Sequence, residues 1–214
     1  MIRSNRHVGL HVFGIALALM LGCATKVTVF VPPRVDLAAY GSIGLIDFSS
    51  NRGKADLERY GSQELMKTVQ SAQPGTRILE LGPERRVLAS IEHDEFDFEA
   101  IRAIGKRYGV DAVFVGNLDF TEIKPKVRIS MSLESLSAQA EVEAFLSTRL
   151  METASGATVW TNSARDRAAV AHFKMLSSRP ASFGAGDPND AQLRLVQGLV
   201  VRITQDFRGH YERR

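Results

Sequence analysis

Apolar residues recur at helical spacing in three stretches of the chain. The stretch 56–72 carries one apolar stripe, which predicts an amphipathic helix. The stretch 97–108 predicts a second helix, whose first turn Asp97 can cap. A third helix is predicted over 187–207, where Pro188 can occupy the first helical position.

Strand patterns occupy much of the remaining chain. Some are continuous apolar runs, which are typical of strands buried on both faces, and others alternate apolar with polar residues, which is typical of half-buried strands. The predicted strands span residues 27–31, 42–48, 76–81, 110–116, 127–133, 141–152 and 157–165. The segment 177–186 is small, polar and contains glycine, so it predicts a loop.

The order of these elements predicts an α/β fold with a mixed β-sheet flanked by helices. Along the chain the order is roughly β-β-α-β-α-α-β-β-β-β-α, in which a short additional helix ends near Ile91. A helix that leads directly into an apolar strand is how a covered sheet is built. We therefore expect a single domain over residues 42–209, after a cleaved signal and before a basic tail at 210–214.

The first 22 residues have the pattern of an export signal. Arg3 and Arg6 precede an apolar run over 8–21, and this run is interrupted by His11. The run is too short to cross a bilayer comfortably, since a spanning helix needs about 20 residues. We therefore expect residues 1–22 to be removed from the mature protein.

The only cysteine in the chain, Cys23, follows Gly22 at the end of this run, and the sequence around it resembles the lipobox of bacterial lipoproteins. Met20 stands where leucine is usual. The resemblance implies that the Cys23 sulfur carries a lipid and that residues 23–41 form a lipidated terminus and a short tether. Ala24 follows the cysteine, which resembles the signal for the outer membrane in Gram-negative bacteria. The alternative is an ordinary signal, or a loose apolar terminus with a buried free cysteine.

The charge of the mature chain argues against a nucleic-acid partner. The whole chain has a formal net charge of +3, and loss of Arg3 and Arg6 with the signal lowers it to +1. No basic face for nucleic acid is indicated. With its one cysteine acylated, the mature chain has no disulfide, so its stability must come from packing.

Three segments of the sequence are similar to segments of the curli-secretion lipoprotein (CsgG-like) superfamily. They lie at 43–48, 108–116 and 148–160. The superfamily also includes TolB-type N-terminal domains, a lipoprotein of exopolysaccharide export, and lipoprotein activators of penicillin-binding proteins. The resemblance covers roughly 40–208 and implies a mixed sheet flanked by helices, tethered to the outer membrane and often assembled into rings. These segments are fold signatures and carry no catalytic motif.

The curli branch of that superfamily inserts two β hairpins per subunit into the membrane to form a secretion pore. The equivalent segments here are 122–140 and 165–186. Polar residues crowd the middle of the first segment, and the second has no clean alternation, whereas a membrane strand needs about 10 residues with one lipid-facing side. The pattern therefore favours a periplasmic domain over a pore subunit.

No catalytic, cofactor-binding or metal-binding residue is assigned from the sequence, and no enzyme activity or cofactor is expected. The acidic group of His93, Asp94, Glu95 and Asp97 does not have metal-ligand spacing and predicts a capped, solvated turn. The single tryptophan, Trp160, is predicted to lie in the core. Two site residues are assigned: Cys23 for lipid attachment, and Phe183 as an exposed aromatic contact for a partner.

The sequence therefore favours a lipoprotein of the periplasmic face of the outer membrane. We expect a non-enzymatic scaffold or ring-forming accessory of an envelope export or assembly system, which binds itself and an envelope protein. The alternatives are a periplasmic ligand-binding or regulatory domain of the cell-wall synthase activator type, or a small secretion pore subunit. Only residues 24–26 separate the lipid from the first apolar strand, which favours a domain held close to the membrane.

Overall fold

A computed structural model describes residues 27–50, 55–121, 124–129, 135–176, 179–185 and 188–213. The predicted signal and Cys23 lie outside these ranges. Within them, no helix is long and apolar enough to cross a membrane.

The described residues form nine strands and four α-helices. The strands are β1 (Thr28–Val31), β2 (Ile43–Asp47), β3 (Ile78–Pro83), β4 (Ala112–Phe120), β5 (Lys124–Ile129), β6 (Ser135–Glu152), β7 (Thr158–Leu176), β8 (Arg179–Ala185) and β9 (His210–Arg213). The helices are α1 (Ala55–Ala72), α2 (Glu84–Ser90), α3 (Phe98–Tyr108) and α4 (Pro188–Ile203), and short 3-10 turns lie at Leu37–Ala39 and Thr204–Phe207.

Seven of these strands form one mixed sheet. Its order is β3-β2-β4-β6-β7-β8, and β5 pairs with the part of β6 that extends beyond β4. The strand β2 runs parallel to both β3 and β4, whereas β6 is antiparallel to β4 and to β7. The predicted α/β class with a mixed sheet flanked by helices is confirmed.

Helices cover both faces of the parallel half of the sheet. One face packs against α1 over these strands and against α4 over the neighbouring β6 and β7, and its core includes Leu45, Phe114 and Leu199. The opposite face packs against α2 and α3, and its core includes Ile46 and Ile104. Because successive residues of a strand point to opposite faces, one continuous apolar run supplies both cores.

Three aromatic rings hold the centre of the larger core together. The ring of Phe114 meets Trp160 and Phe207 edge to face, at centroid distances of 6.2 and 5.9 Å. The indole nitrogen of Trp160 donates to a carboxylate oxygen of Asp206 at 3.1 Å, so the one polar atom of the ring is satisfied. Trp160 is 7% exposed, and its prediction as a core residue is confirmed.

The amide of Gln73 joins the segment before β2 to the end of the chain's last 3-10 turn. Its oxygen accepts from the backbone nitrogen of Leu37 at 2.7 Å. Its nitrogen donates to the carbonyls of Val35 and Phe207 at 2.6 and 3.1 Å. One side chain thereby pairs three backbone groups that regular secondary structure leaves open.

The predicted ends of α3 are confirmed. The Asp97 carboxylate accepts from the backbone nitrogen of Ala100 at 2.7 Å, as an N-cap does. Gly109 ends the helix in the left-handed region at φ 67°, where glycine avoids the strain of a side chain.

The predicted loop over 177–186 is wrong for most of its length, because residues Arg179–Ala185 form β8. This strand pairs antiparallel with β7, and Phe183 lies opposite Phe173 in the register. The strand β7 continues to Leu176, so its outer edge has backbone groups to pair, and this tertiary pairing overrides the weak strand propensity of the segment.

The strands β6 and β7 extend well beyond the predicted ranges 141–152 and 157–165. They pair along nearly their whole length, with register shifts near Ala140 and Leu150. The two segments compared with membrane hairpins, 122–140 and 165–186, contain the antiparallel pairs β5–β6 and β7–β8.

Two compact units make up the described part of the chain. Residues 32–209 contain the mixed sheet and its helices, and the other unit contains the antiparallel pair of β1 and β9. The residues interpreted as a basic tail thus include a strand.

Gly105 and Gly198 provide a matched test of helix packing. A Cβ at position 105 in α3 would lie 2.5 Å from the Cβ of Thr153, whereas a Cβ at position 198 in α4 meets nothing within 4 Å. We expect Gly105→Ala to lower the free energy of unfolding by about 1–3 kcal/mol through overpacking, an effect that the higher helix propensity of alanine partly offsets. We expect Gly198→Ala to raise the free energy of unfolding by up to about 1 kcal/mol because alanine favours the helix. Urea denaturation of both variants measures whether the two changes in stability have opposite signs. A more stable Gly105→Ala variant would contradict the close contact with Thr153.

Candidate functional site

The parallel half of the sheet has a topological switch point. The neighbouring strands β2 and β3 run parallel, but β2 leads to α1 on one face and β3 leads to α2 on the other. Ligands of open α/β sheets bind in the crevice that such a divergence leaves at the carboxyl ends of the strands.

A crevice of about 610 Å³ lies at this position, and we call it the edge crevice. Its lining combines three carboxylates with arginine, serine and asparagine side chains. It is lined by Asp47, Phe48, Ser49, Ser50, Ala55, Glu58, Arg59, Pro83, Glu84, Arg85 and Asn117.

Phe48 fixes the end of β2 against its neighbours. Its ring is 1% exposed and lies over two glycines, Gly61 of α1 and Gly116 of β4. A Cβ at these positions would lie 2.9 and 2.6 Å from the ring, so only glycine allows this approach. The Ser62 hydroxyl accepts from the Phe48 nitrogen at 2.8 Å and donates to the Glu58 carbonyl at 3.0 Å. These contacts hold the first turns of α1 at the crevice.

Ser49 extends the pairing of β2 with β4 by one bridge. Its nitrogen donates to the carbonyl of Gly116 at 3.0 Å, and its carbonyl accepts from Leu118 at 2.8 Å. This parallel bridge places Asn117 beside Ser49, at the end of the crevice.

The three carboxylates of the edge crevice interact electrostatically. Partial burial raises the pKa of Glu58 above its ordinary value of 4.5, and the charges of Asp47 and Glu84 raise it further. Arg59 and Arg85 also line the crevice, so the three carboxylates leave it a formal net charge of −1. The negative charge is concentrated near Glu58, where a proton is favoured.

The antiparallel half of the sheet presents a second polar surface, on the face that α2 and α3 cover in the parallel half. On β6 the apolar residues Val142, Ala144 and Leu146 enter the other core, so the alternate residues share the polar face. We call this surface the ribbon face. It consists of Asn117, Asp119, Glu143, Phe145, Ser147, Arg149, Arg165 and Arg167.

Glu143 holds two arginines of the ribbon face in place. Its carboxylate accepts from Nε of Arg167 at 2.6 Å and lies 3.5 Å from Nε of Arg165. The Arg165 guanidinium also lies 5.5 Å from the ring centroid of Phe145. Both arginines remain exposed, so each ion pair contributes no more than about 1 kcal/mol. Their effect is to orient the guanidinium groups.

The two surfaces are contiguous. A groove of about 560 Å³ runs along the ribbon face, between Phe145 of β6 and Phe96, which precedes α3. It shares Ser49, Glu84 and Asn117 with the edge crevice. A partner lying in the groove would therefore also meet the end of the crevice.

A further cleft, of about 780 Å³, lies at the amino ends of the parallel strands. Tyr40 and Glu152 belong to its lining. Burial raises the pKa of the Tyr40 hydroxyl, and Glu152 adds to the effect. This cleft is at the end of the sheet opposite the switch point, where ligands of α/β folds are not usually found.

Neither residue assigned from the sequence belongs to the described lining of these surfaces. Cys23 is outside the described residues, and Phe183 is in β8, where only its backbone is described. Asp97 caps α3, and His93 lies 3.8 Å from its carboxylate. No cluster of three potential metal ligands occurs among the described residues.

Neither the edge crevice nor the ribbon face was predicted from the sequence. A signal for the crevice was available, because Asp47 and Asn117 each follow a buried apolar run that was predicted as a strand. A signal for the ribbon face was the alternation from Glu143 to Arg149 within a predicted strand.

Comparison with known proteins gives structural similarity at low sequence identity. No family model matches the chain, and no curated protein matches it. The PelC dodecamer from Paraburkholderia phytofirmans aligns with a TM-score of 0.42 and 9% identity, over 86% of this chain and 98% of that chain. Lipoprotein GNA1162 from Neisseria meningitidis aligns with a TM-score of 0.31 and 18% identity, over 60% and 83%.

A third structure, the LpoB C-terminal domain from Salmonella enterica, aligns with a TM-score of 0.35 and 12% identity, over 70% of this chain and 91% of that chain. Bacterial lipoproteins are thus among the structures that the chain resembles. These identities and TM-scores assign neither a family nor an activity, and the CsgG-like resemblance stays a prediction from the sequence.

Glu58→Gln tests the electrostatics of the edge crevice. A raised pKa means that the folded state binds the proton more tightly than the unfolded state, so the contribution of Glu58 to stability falls as the pH rises above 4.5. We expect Glu58→Gln to be more stable than the parent near pH 7, by less than about 1 kcal/mol because the site is screened by solvent. Near pH 3.5 most of that gain should be absent.

Urea denaturation at the two pH values measures this difference. Glu80→Gln, which removes an exposed carboxylate of β3 outside the crevice, controls for the loss of one charge. An equal change in stability on Glu58→Gln at both pH values would contradict the raised pKa of Glu58.

Proposed function

We propose that this protein is a non-enzymatic lipoprotein of the outer membrane, facing the periplasm, which acts as a scaffold or ring-forming accessory of an envelope export or assembly system. It binds a protein partner, or further copies of itself, through the ribbon face. Cys23 carries the lipid that holds it at the membrane.

The composition of the ribbon face is the observation that carries this proposal. Three exposed arginines, Arg149, Arg165 and Arg167, share one face of the sheet with the half-buried ring of Phe145, and Arg165 lies against that ring. The other side of this part of the sheet forms the core. Arginine and aromatic residues are enriched at protein interfaces, and they are common among the residues that contribute most to binding. The arrangement of Arg165 between Glu143 and Phe145 reduces the rotamer freedom that a partner would otherwise have to restrict.

The position of Cys23 supports a location close to the membrane. Four residues separate it from Thr28, the first residue of β1. An extended chain of that length spans at most about 17 Å from Cys23 to Thr28. The segment between Cys23 and β1 is too short to act as a long linker across the periplasm. We therefore favour assembly at the membrane.

The edge crevice favours a second candidate function, that of a ligand-binding or regulatory domain. It lies at the switch point of the sheet, and the carboxylates of Asp47, Glu58 and Glu84 outnumber the two arginines of its lining by one. This candidate would take a small cationic ligand. It is compatible with a scaffold role, because the crevice and the groove share lining residues.

Cys23→Ser tests the anchor. We expect the parent protein to remain in the outer-membrane fraction after a high-salt wash, and the variant to be lost from that fraction, because a serine hydroxyl cannot accept the lipid in place of sulfur. Immunoblots of fractionated cells measure the distribution. A variant that stays with the outer membrane after the wash would show that lipidation at Cys23 is not what holds the protein.

Site-specific photo-crosslinking tests the ribbon face. With a photoreactive amino acid in place of the exposed Arg149, we expect adducts in living cells, either to an envelope protein or to a second copy. The matched position is Val201, which is exposed on α4 and lies away from the ribbon face. We expect adduct yield at 149 to exceed that at 201 several-fold, and Arg165→Glu to reduce it. Equal yields at both positions would contradict the proposed interface.

A further inference from the structure

The strands β1 and β9 form a small antiparallel ladder whose apolar side chains are largely exposed. We call this pair the terminal ladder. Its register places Phe30 directly opposite Tyr211, and the two ring centroids are 5.3 Å apart. Phe30 is 53% exposed and Tyr211 is 74% exposed. Val29 is also exposed. A two-stranded ladder is only marginally stable in water unless its apolar face is covered.

We infer that the terminal ladder contacts an anionic lipid surface through Phe30 and Tyr211, as a second membrane contact beside the lipid at Cys23. The location of this contact rests on the proposed function, because lipidation of Cys23 is what brings the ladder to the membrane. The kind of surface that the ladder contacts is inferred from its own side chains and charges.

The distance from the lipid is the first argument. The tether to Thr28 spans at most about 17 Å, and the headgroup layer of each leaflet is about 5–8 Å thick. A ladder that begins no more than about 17 Å from an acylated residue is within reach of the headgroup layer.

The chemistry of the side chains is the second argument. Paired strands direct Phe30 and Tyr211 to the same face, since residues directly opposite in an antiparallel ladder share a face. Tyrosine is enriched at membrane interfaces because its ring is apolar and its hydroxyl remains in contact with water. The pair therefore forms a compact aromatic contact with one polar tip.

Charge is the third argument. Residues 24–31 and 210–214 contain three basic side chains, Lys26, Arg213 and Arg214, and one acidic side chain, Glu212. A net positive segment is attracted to anionic lipid, and the attraction weakens as salt screens it. A lipid-anchored protein binds the membrane more tightly when a second, independent contact is added to the anchor.

Vesicle binding by the unacylated mature chain tests this contact. The protein is residues 23–214 with Cys23→Ser, and the probe is a vesicle of phosphatidylethanolamine with a minority of phosphatidylglycerol. We expect it to float with these vesicles at low salt. We expect Phe30→Ser combined with Tyr211→Ser to weaken binding at least about tenfold, because two aromatic side chains lose their apolar contact.

Phe98→Ser is the matched control, since Phe98 is 52% exposed but belongs to α3. It should leave vesicle binding unchanged. Equal binding by the ladder variant and its parent, or loss of binding in Phe98→Ser alone, overturns the inference. Self-association that depends on Phe30 and Tyr211, without vesicle binding, assigns the face to a second copy and also overturns it.

Phe30→Trp keeps the test independent of any folding defect in the double variant. We expect its tryptophan emission to shift to the blue on addition of vesicles, and to be quenched by brominated lipid, while the buried Trp160 contributes a constant background. No shift and no quenching overturns the inference. Because the chain in these assays has no acyl group, their outcome is separate from that of the Cys23→Ser fractionation.

Discussion

The ring of Phe48 sets the spacing on which the candidate site depends. It occupies the space that Gly61 and Gly116 leave on two different elements, and a Cβ on either would collide with it. Because the ring fits there, α1 approaches the end of the sheet, and the chain after β2 stays extended long enough for Ser49 to bridge to β4. Asn117 thereby comes to lie where the edge crevice and the ribbon face meet. A single packing contact thus positions the junction of the two surfaces.

The mixed sheet explains why the two surfaces differ in character. The central parallel strand β2 is covered by helices on both faces, so polar side chains collect where that cover ends. Asp47 is the last residue of β2, Glu84 directly follows β3, and Asn117 lies where β4 runs past the end of β2. Antiparallel strands connected by a hairpin need cover on only one face, which leaves the other free for polar and charged residues. Glu143 and Arg149 lie on that free face.

The sequence predicted local structure well and long-range pairing poorly, for a physical reason. The ends of α3 depend on Asp97 and Gly109, whose effects are confined to a few residues, so their pattern is sufficient. The strand β8 forms because the edge of β7 is available, and nothing within residues 179–185 signals that edge. The proximity of Glu58 to Asp47 and Glu84 likewise depends on strand order, which local patterns do not encode.

The ion pairs of the ribbon face bear on which partners it can bind. Glu143 already accepts from Arg167 and lies beside Arg165, so an acidic group of a partner must compete with a neighbouring carboxylate for these arginines. The gain from such an exchange is small at an exposed site. The ring of Phe145 is half-buried and has the Arg165 guanidinium 5.5 Å from its centroid. A partner that covers the rest of the ring buries apolar surface without breaking an ion pair. Recognition is therefore expected to depend chiefly on apolar contact with Phe145, while the arginines select the orientation of the partner.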